Sequence, residues 1–224
     1  DRKSSAKNAF RSAERISVNP SIKEDALFNY AKVSYELSYH PYDDAILAFE
    51  EYINNYPNSE KFESAYEYLL GVYYTTKNYK EALNSLNRIK SQDYKLLEAK
   101  QRIALFRGVE LFNTAEYNDA IDLFKLSIKN NYNPQYKSKA IYWMAESYYK
   151  LKDFDNAINS YTDFLSSAGA RSLPNFNRAY YNLAYSHYDK KKYASAIFWF
   201  KEYISKADPK NKGLISDANI RIGD

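Results

Sequence analysis

Few side chains in this 224-residue chain could do covalent chemistry, and they are scattered. It has two histidines, His40 and His187, and no cysteine. A thiolate nucleophile and a cysteine-based zinc set are both excluded. His187 stands between Ser186 and Tyr188 in an aromatic run, which is a packing position, and His40 precedes Pro41 in a turn. The five glycines are dispersed, so no glycine-rich loop exists to cradle a phosphate. The adjacent carboxylates Asp43-Asp44 and Glu50-Glu51 fall on helices whose other face is apolar, where they serve as solvated charges. Carboxylates distant in sequence could still converge in space. The 32 basic and 28 acidic residues leave a mild charge of +4, mixed along the chain. The run Lys190-Lys191-Lys192 is short and sits in a turn, so no nucleic-acid surface is expected. No catalytic residue, metal or cofactor is expected. What is abundant is contact chemistry: 25 tyrosines beside 12 phenylalanines and 2 tryptophans, rings that can be buried while a hydroxyl stays at the wet edge.

Those tyrosines belong to a recurring unit. Tyr117…Ala120-Ile121…Phe124 has counterparts in Tyr42…Ala45-Ile46…Phe49, Tyr79…Ala82-Leu83…Leu86, Phe154…Ala157-Ile158…Tyr161 and Tyr193…Ala196-Ile197…Phe200. Spacings of three and four put these residues on one helical stripe, with alanine as a shallow spot for close helix approach. The alanines at 45, 82, 120, 157 and 196 are 37 to 39 residues apart, the period of a stacked repeat. A second recurring helix precedes each, clearest in Ala65–Tyr74, Ala140–Tyr149 and Ala179–Tyr188. Together the two make a helical hairpin. A first segment, 4–17, is a helix with no partner ahead of it. The repeats run over 23–57, 63–90, 100–130, 138–166 and 177–205, and 214–224 begins a sixth, so the protein is expected to continue beyond this chain. Pro41 places a longer turn in the first repeat, and the small-residue stretch Ser166–Pro174 is expected to be a flexible loop.

The pattern of a bulky residue, Leu-Gly or Leu-Ala, Tyr-Tyr, then Tyr-x-x-Ala-Ile-x-x-Phe resembles the tetratricopeptide repeat family over nearly the whole chain. The resemblance implies an all-α, right-handed α-α superhelix of five helix pairs in one array, 1–224, with a helix ahead and a partial sixth repeat behind. It also implies a non-enzymatic scaffold that binds a protein or peptide in a concave groove lined by the first helices. The alternative is a structural subunit of an envelope or outer-membrane assembly complex, its groove filled by the rest of its own chain.

Carried over by position, the family's groove residues are Lys139, Tyr142, Glu146, Tyr149 and Lys150, then Arg178, Tyr181, Tyr185, Tyr188 and Asp189. Earlier repeats supply Phe28, Lys32 and Tyr35, then Ser64, Glu67 and Tyr74, then Arg102, Val109, Phe112 and Asn113. An aromatic recurs at the twelfth position in all five repeats, where it serves either ligand contact or packing. Repeats four and five are richest in such rings. The expected partner site is therefore Tyr142, Tyr149, Tyr181, Tyr185 and Tyr188, with Lys139, Lys150 and Arg178 as anchors for an acidic or C-terminal carboxylate-bearing segment, a preference tempered by Glu146 and Asp189. The double change Tyr181→Ala with Tyr185→Ala is expected to weaken binding without affecting the melt. The family's two-carboxylate clamp for chaperone tails is not reproduced. The joint Asn54-Asn55-Tyr56-Pro57-Asn58-Ser59 resembles that of bacterial envelope members of the family, implying a periplasmic or outer-membrane-associated location. Lack of cysteine suits such an oxidising compartment, but many cytosolic proteins also lack it, and the cytoplasm is the alternative location. No apolar run reaches the length of a membrane span, so direct insertion is not expected.

Overall fold

A computed structural model describes residues 2–37, 42–75, 77–89 and 93–224. His40 and Pro41 lie outside these residues. All regular structure among the described residues is helical. The elements are α1 (Arg2–Ile16), α2 (Pro20–Glu36), α3 (Tyr42–Asn55), α4 (Phe62–Thr75), α5 (Tyr79–Arg88), α6 (Tyr94–Asn113), α7 (Tyr117–Lys129), α8 (Pro134–Lys150), α9 (Phe154–Ser166), α10 (Phe176–Asp189), α11 (Tyr193–Lys206) and α12 (Lys212–Gly223). The chain divides into two compact units, Asp1–Ile103 and Ala104–Asp224, with the boundary inside α6. The fold class is the all-α hairpin repeat that the periodicity implies. None of the helices is long and apolar enough to cross a membrane, among the described residues.

Helix starts follow ordinary capping chemistry. Asn19 and Asn133 each accept from an amide two residues on, and Pro20 and Pro134 occupy the first helical position, where a missing N–H costs nothing. Packing then follows the stripe. Ala45, Ala82, Ala120 and Ala157 are 0% exposed and Ala196 is 2% exposed, so each second helix approaches its neighbours through that alanine.

In the first unit, α1 packs on α2, α2 on α3, and α3 on both α4 and α5. Its core is built on Ile46, Phe49, Tyr52, Leu69 and Tyr73. One polar network penetrates it. The Glu50 carboxylate, 7% exposed, accepts from Arg88 Nε at 2.6 Å, Arg88 Nη2 at 2.9 Å and Ser85 Oγ at 2.9 Å, and Ser85 also bonds the Tyr73 hydroxyl at 2.8 Å. A buried carboxylate is tolerated only with such partners.

In the second unit, α7 through α12 pack each on the next. Gly108 in α6 lies under the Phe124 ring of α7: a Cβ there would sit 2.5 Å from Cε1 and 2.9 Å from Cδ1. In an open helix Gly→Ala stabilises by about 1 kcal/mol. Here overpacking reverses the sign, and Gly108→Ala is expected to cost about 1–2 kcal/mol in urea unfolding. Phe124→Leu in the same chain should restore part of the loss; a Gly108→Ala variant as stable as the parent would show that the close approach is absent.

The stretch after α9, expected to be a flexible loop, is instead packed. Ala170 is fully buried, and a Cβ on Gly169 would stand 2.4 Å from the Pro134 carbonyl oxygen. Successive turns close through Ala170 N to Ser167 O, Leu173 N to Ala170 O and Phe176 N to Leu173 O. The Ser138 and Ser167 hydroxyls meet at 2.7 Å. Small residues serve close backbone approach here, a composition shared with linkers.

Burial also shapes the titration of the molecule. It pushes the Tyr52 phenol up to about 12 from its usual 10.0, helped by Glu24, and raises Tyr66, Tyr73, Tyr142, Tyr161 and Tyr181 further. A proton held more tightly by the folded chain stabilises fully below the unfolded phenol's pKa, and that stability is lost as pH rises through the folded value. The melting temperature is therefore expected to be insensitive to these groups up to about pH 10 and to fall steeply from there toward pH 12. Tyrosinate absorbance should rise together with loss of helix; phenols that titrate normally within an intact helical protein would contradict this.

Candidate partner-binding site

The eight residues assigned to partner contact all lie in the second unit, on α8 and α10, but they do different things. Tyr142 is buried: its ring packs edge-on against Phe164 at 5.2 Å and Tyr161 at 6.1 Å. Its hydroxyl accepts from Asn182 Nδ2 at 3.2 Å. Tyr149, half-buried, donates to Asp189 Oδ2 at 2.5 Å and leans on Phe154. Tyr181 and Tyr185 both donate to Asp217 Oδ2 of α12, at 2.7 and 2.5 Å, and their rings pack on Phe200. Burial alone would raise the Asp217 carboxyl, but the two phenol donors and Arg221 outweigh it and hold it below the usual carboxylate range. Tyr188 packs on Tyr185 and Tyr193 and carries the Arg221 guanidinium 5.5 Å over its ring.

The recurring twelfth-position aromatic thus has a visible packing role. Phe112 meets Tyr117, Tyr149 meets Phe154 and Tyr188 meets Tyr193, each at 5.3–5.7 Å across the turn of its own hairpin. In the first unit Tyr35 sits edge-on to Tyr68 and Tyr74 lies beneath the Arg102 guanidinium. In three of the five repeats the ring thus packs across the turn of its own hairpin, and the Tyr149 and Tyr188 rings are half-buried there.

Of the three cations, Lys139 lies over the Tyr136 ring at 5.9 Å, Lys150 is exposed at the end of α8, and Arg178 is exposed in the first turn of α10. The fold brings Arg178 together with Tyr142 and Glu146 around a cleft of about 610 Å³. Lys139 lines a smaller adjoining pocket of about 140 Å³ with Tyr142 and Leu173, and Lys150 lines neither. Glu146 is engaged from behind by the Tyr161 hydroxyl at 2.7 Å and by Asn182. Residues that the sequence reading passed over complete the cleft: Asn175, Tyr203 and Asn211. A signal for Tyr203 was present. It stands seven residues after Ala196, where Phe164 stands after Ala157, so it differs from its counterpart by one hydroxyl.

His187 is half-buried on α10, where burial first, then Lys192 and Lys190, lower its pKa. No group of three His, Asp or Glu side chains that could hold a metal occurs among the described residues. The arrangement offers hydrogen-bonding groups, the exposed Arg178 guanidinium and ring edges, which suit a binding surface.

Consecutive helical hairpins, packed each on the next within a unit, define the class of helical-repeat proteins. The chain contains tetratricopeptide repeats: residues 25–59 and residues 142–212 each match a model described as tetratricopeptide repeat. Such repeats are protein-interaction modules and are generally not catalytic. No curated protein gives a significant match. Among solved structures, BtubC (BKLC) from P. vanneervenii is 16% identical with a TM-score of 0.51, covering 99% of this chain and 80% of that one. The MamA protein is 22% identical with a TM-score of 0.49, covering 84% and 94%. The TPR2AB-domain:pHSP90-complex of yeast Sti1 is 19% identical with a TM-score of 0.46, covering 99% and 92%. At such identity the likeness to BtubC is one of fold.

Proposed function

We propose that this chain is a non-enzymatic scaffold that holds a peptide segment or partner protein against the first helices of its second unit. The observation that carries this reading is the cleft lined by Tyr142, Glu146, Asn175 and Arg178, which gathers several unlike polar groups on a family of helices otherwise engaged in packing. Rigid rings set in a packed stack lose little entropy on contact, which suits them as platforms beside that cleft. A photo-crosslinking side chain in place of Asp208, exposed in the lining of that cleft, should capture a defined partner that the same group in place of Phe198, exposed on α11, does not. Capture of a segment of the same protein would favour the structural-subunit alternative, and equal capture from both positions would sink the groove reading.

The joint Asn54–Ser59 supports a second, independent point: a bacterial envelope location, periplasmic or outer-membrane-associated. Fractionation of the tagged protein in its native host tests it, with recovery in the cytoplasm as the contrary result.

A further inference from the structure

The cleft of the second unit contains an unexplained polar atom. Tyr203 is 1% exposed, lines the cleft, and its hydroxyl has no hydrogen-bond partner. Buried polar groups are almost always satisfied, because an unpaired one loses its hydration for nothing in return. Its counterpart one repeat earlier is Phe164, so the packing of the ring does not call for the hydroxyl. Where the corresponding tyrosine of the first repeat, Tyr52, is buried, its hydroxyl is paired with Glu24 at 2.9 Å and Ser59 at 2.7 Å.

The surroundings of that hydroxyl are rich in donors. Arg178 makes no ion pair among the described residues, and its charge acts on both the Tyr142 and Tyr203 phenols. It stands in the first turn of α10, whose N-cap, Asn175, makes no side-chain cap and is turned to Tyr142 instead. The Asn177 and Arg178 amides, at the positive end of a 14-residue helix, are left without a side-chain cap, and both residues line the cleft. Asn211, at the N-cap of α12 and in the same lining, is likewise without a capping bond. By contrast Asn133 caps α8 and Asp153 caps α9 with their own side chains.

We propose that this cleft is a carboxylate subsite: the Arg178 guanidinium, the Tyr203 hydroxyl and the open first turn of α10 together seat one carboxylate of a bound acidic peptide. A planar guanidinium matches a carboxylate with two parallel hydrogen bonds. Glu146 and Asp208 lie in the same lining, and their charges oppose a dianion such as phosphate while tolerating a single negative charge. Lys139 and Lys150, expected as equal anchors, line neither the floor nor the mouth of this cleft. The subsite rests on the peptide-binding reading only for where the carboxylate comes from.

The test is an NMR titration of the chain with small blocked amino acids, without any partner protein. N-acetyl-glutamate N-methylamide supplies a side-chain carboxylate, N-acetyl-alanine a C-terminal one, the glutamine analogue is the uncharged control, and inorganic phosphate is the dianion. Saturable shifts of the Arg178 Nε–H and of the Asn177 and Arg178 amides are expected with a carboxylate, and none with the glutamine analogue. The tighter of the two carboxylates identifies the source. Arg178→Gln should weaken binding by about tenfold or more, as expected for a charge-assisted pair. Tyr203→Phe should weaken it severalfold while the melting temperature stays level or rises, since it removes an unpaired hydroxyl. That opposite movement of affinity and stability is what a packing role would not produce. The absence of a saturable shift, shifts that persist in both variants, or tighter binding of phosphate would each overturn the subsite. None of these outcomes depends on partner capture, so failure of the crosslinking experiment and failure of this one are separable.

Discussion

Replacing Tyr181 and Tyr185 together by alanine is expected to destabilise the second unit by about 4 kcal/mol. The sequence alone implied that this pair could be removed without cost to the fold, as contact rings on an open groove. In the structure both rings are half-buried against Phe200, Tyr181 also packs on Tyr203 at 5.2 Å, and both hydroxyls converge on one oxygen of Asp217. Truncation removes two aromatic side chains from packed surroundings and strips a partly buried carboxylate of its two phenol donors, so α12 loses its principal polar attachment to α10. Urea unfolding should report the loss, and hydrogen exchange should show α12 opening before α10 and α11. Tyr181→Phe separates the contributions: it keeps the ring and removes one hydroxyl, and is expected to cost about 1 kcal/mol. If the double alanine variant unfolds within about 0.5 kcal/mol of the parent, the size typical of surface changes, the rings are contact surface after all.

Arg88→Ala is expected to cost the first unit about 2 kcal/mol. The guanidinium bridges both oxygens of Glu50, and without it that carboxylate stays buried with Ser85 as its remaining partner among the described residues. Breaking a fully buried pair costs about 3–5 kcal/mol, and the estimate is reduced because Arg88 is itself about half exposed and water can take part of its place. Removing both charges, with Glu50→Gln and Arg88→Met, should lose less than the single change, since no uncompensated charge remains. A double variant less stable than Arg88→Ala would mean that the pair acts through packing. Chemical unfolding of the three proteins decides between these outcomes.

Residue order alone determines the helices, their pairing into hairpins and the buried alanine stripe. The reason is local: a spacing of three and four residues, repeated every 37 to 39, admits one helical face per segment, and a hairpin that cannot bury its own face must stack. The tight turns within the hairpins were not legible in the same way. Ala115, Lys152 and Lys191 take left-handed backbone conformations, with φ of 64, 60 and 60°, where glycine would be the usual sign. Each is followed by an amide that reaches back five residues, Glu116 to Leu111, Asp153 to Tyr148 and Lys192 to His187, so helix packing imposes a conformation that the side chain does not prefer.

The site divides along the same line. Tyrosines at groove positions are visible in the sequence, but whether a ring is presented or buried depends on what lies across from it. Asp189 for Tyr149 and Asp217 for Tyr181 and Tyr185 come from the next first helix, 32 to 40 residues away. Tyr142 is buried because Phe164 and Tyr161 of α9 close over it. Arg178 is set apart from Lys139 and Lys150 by the cleft that α8, α10, α11 and the start of α12 form around it. Residue type and period belong to single helices and can be read one segment at a time; exposure, pairing and the unpaired hydroxyl of Tyr203 are properties of surfaces made by three or four helices, and arise only when those helices pack.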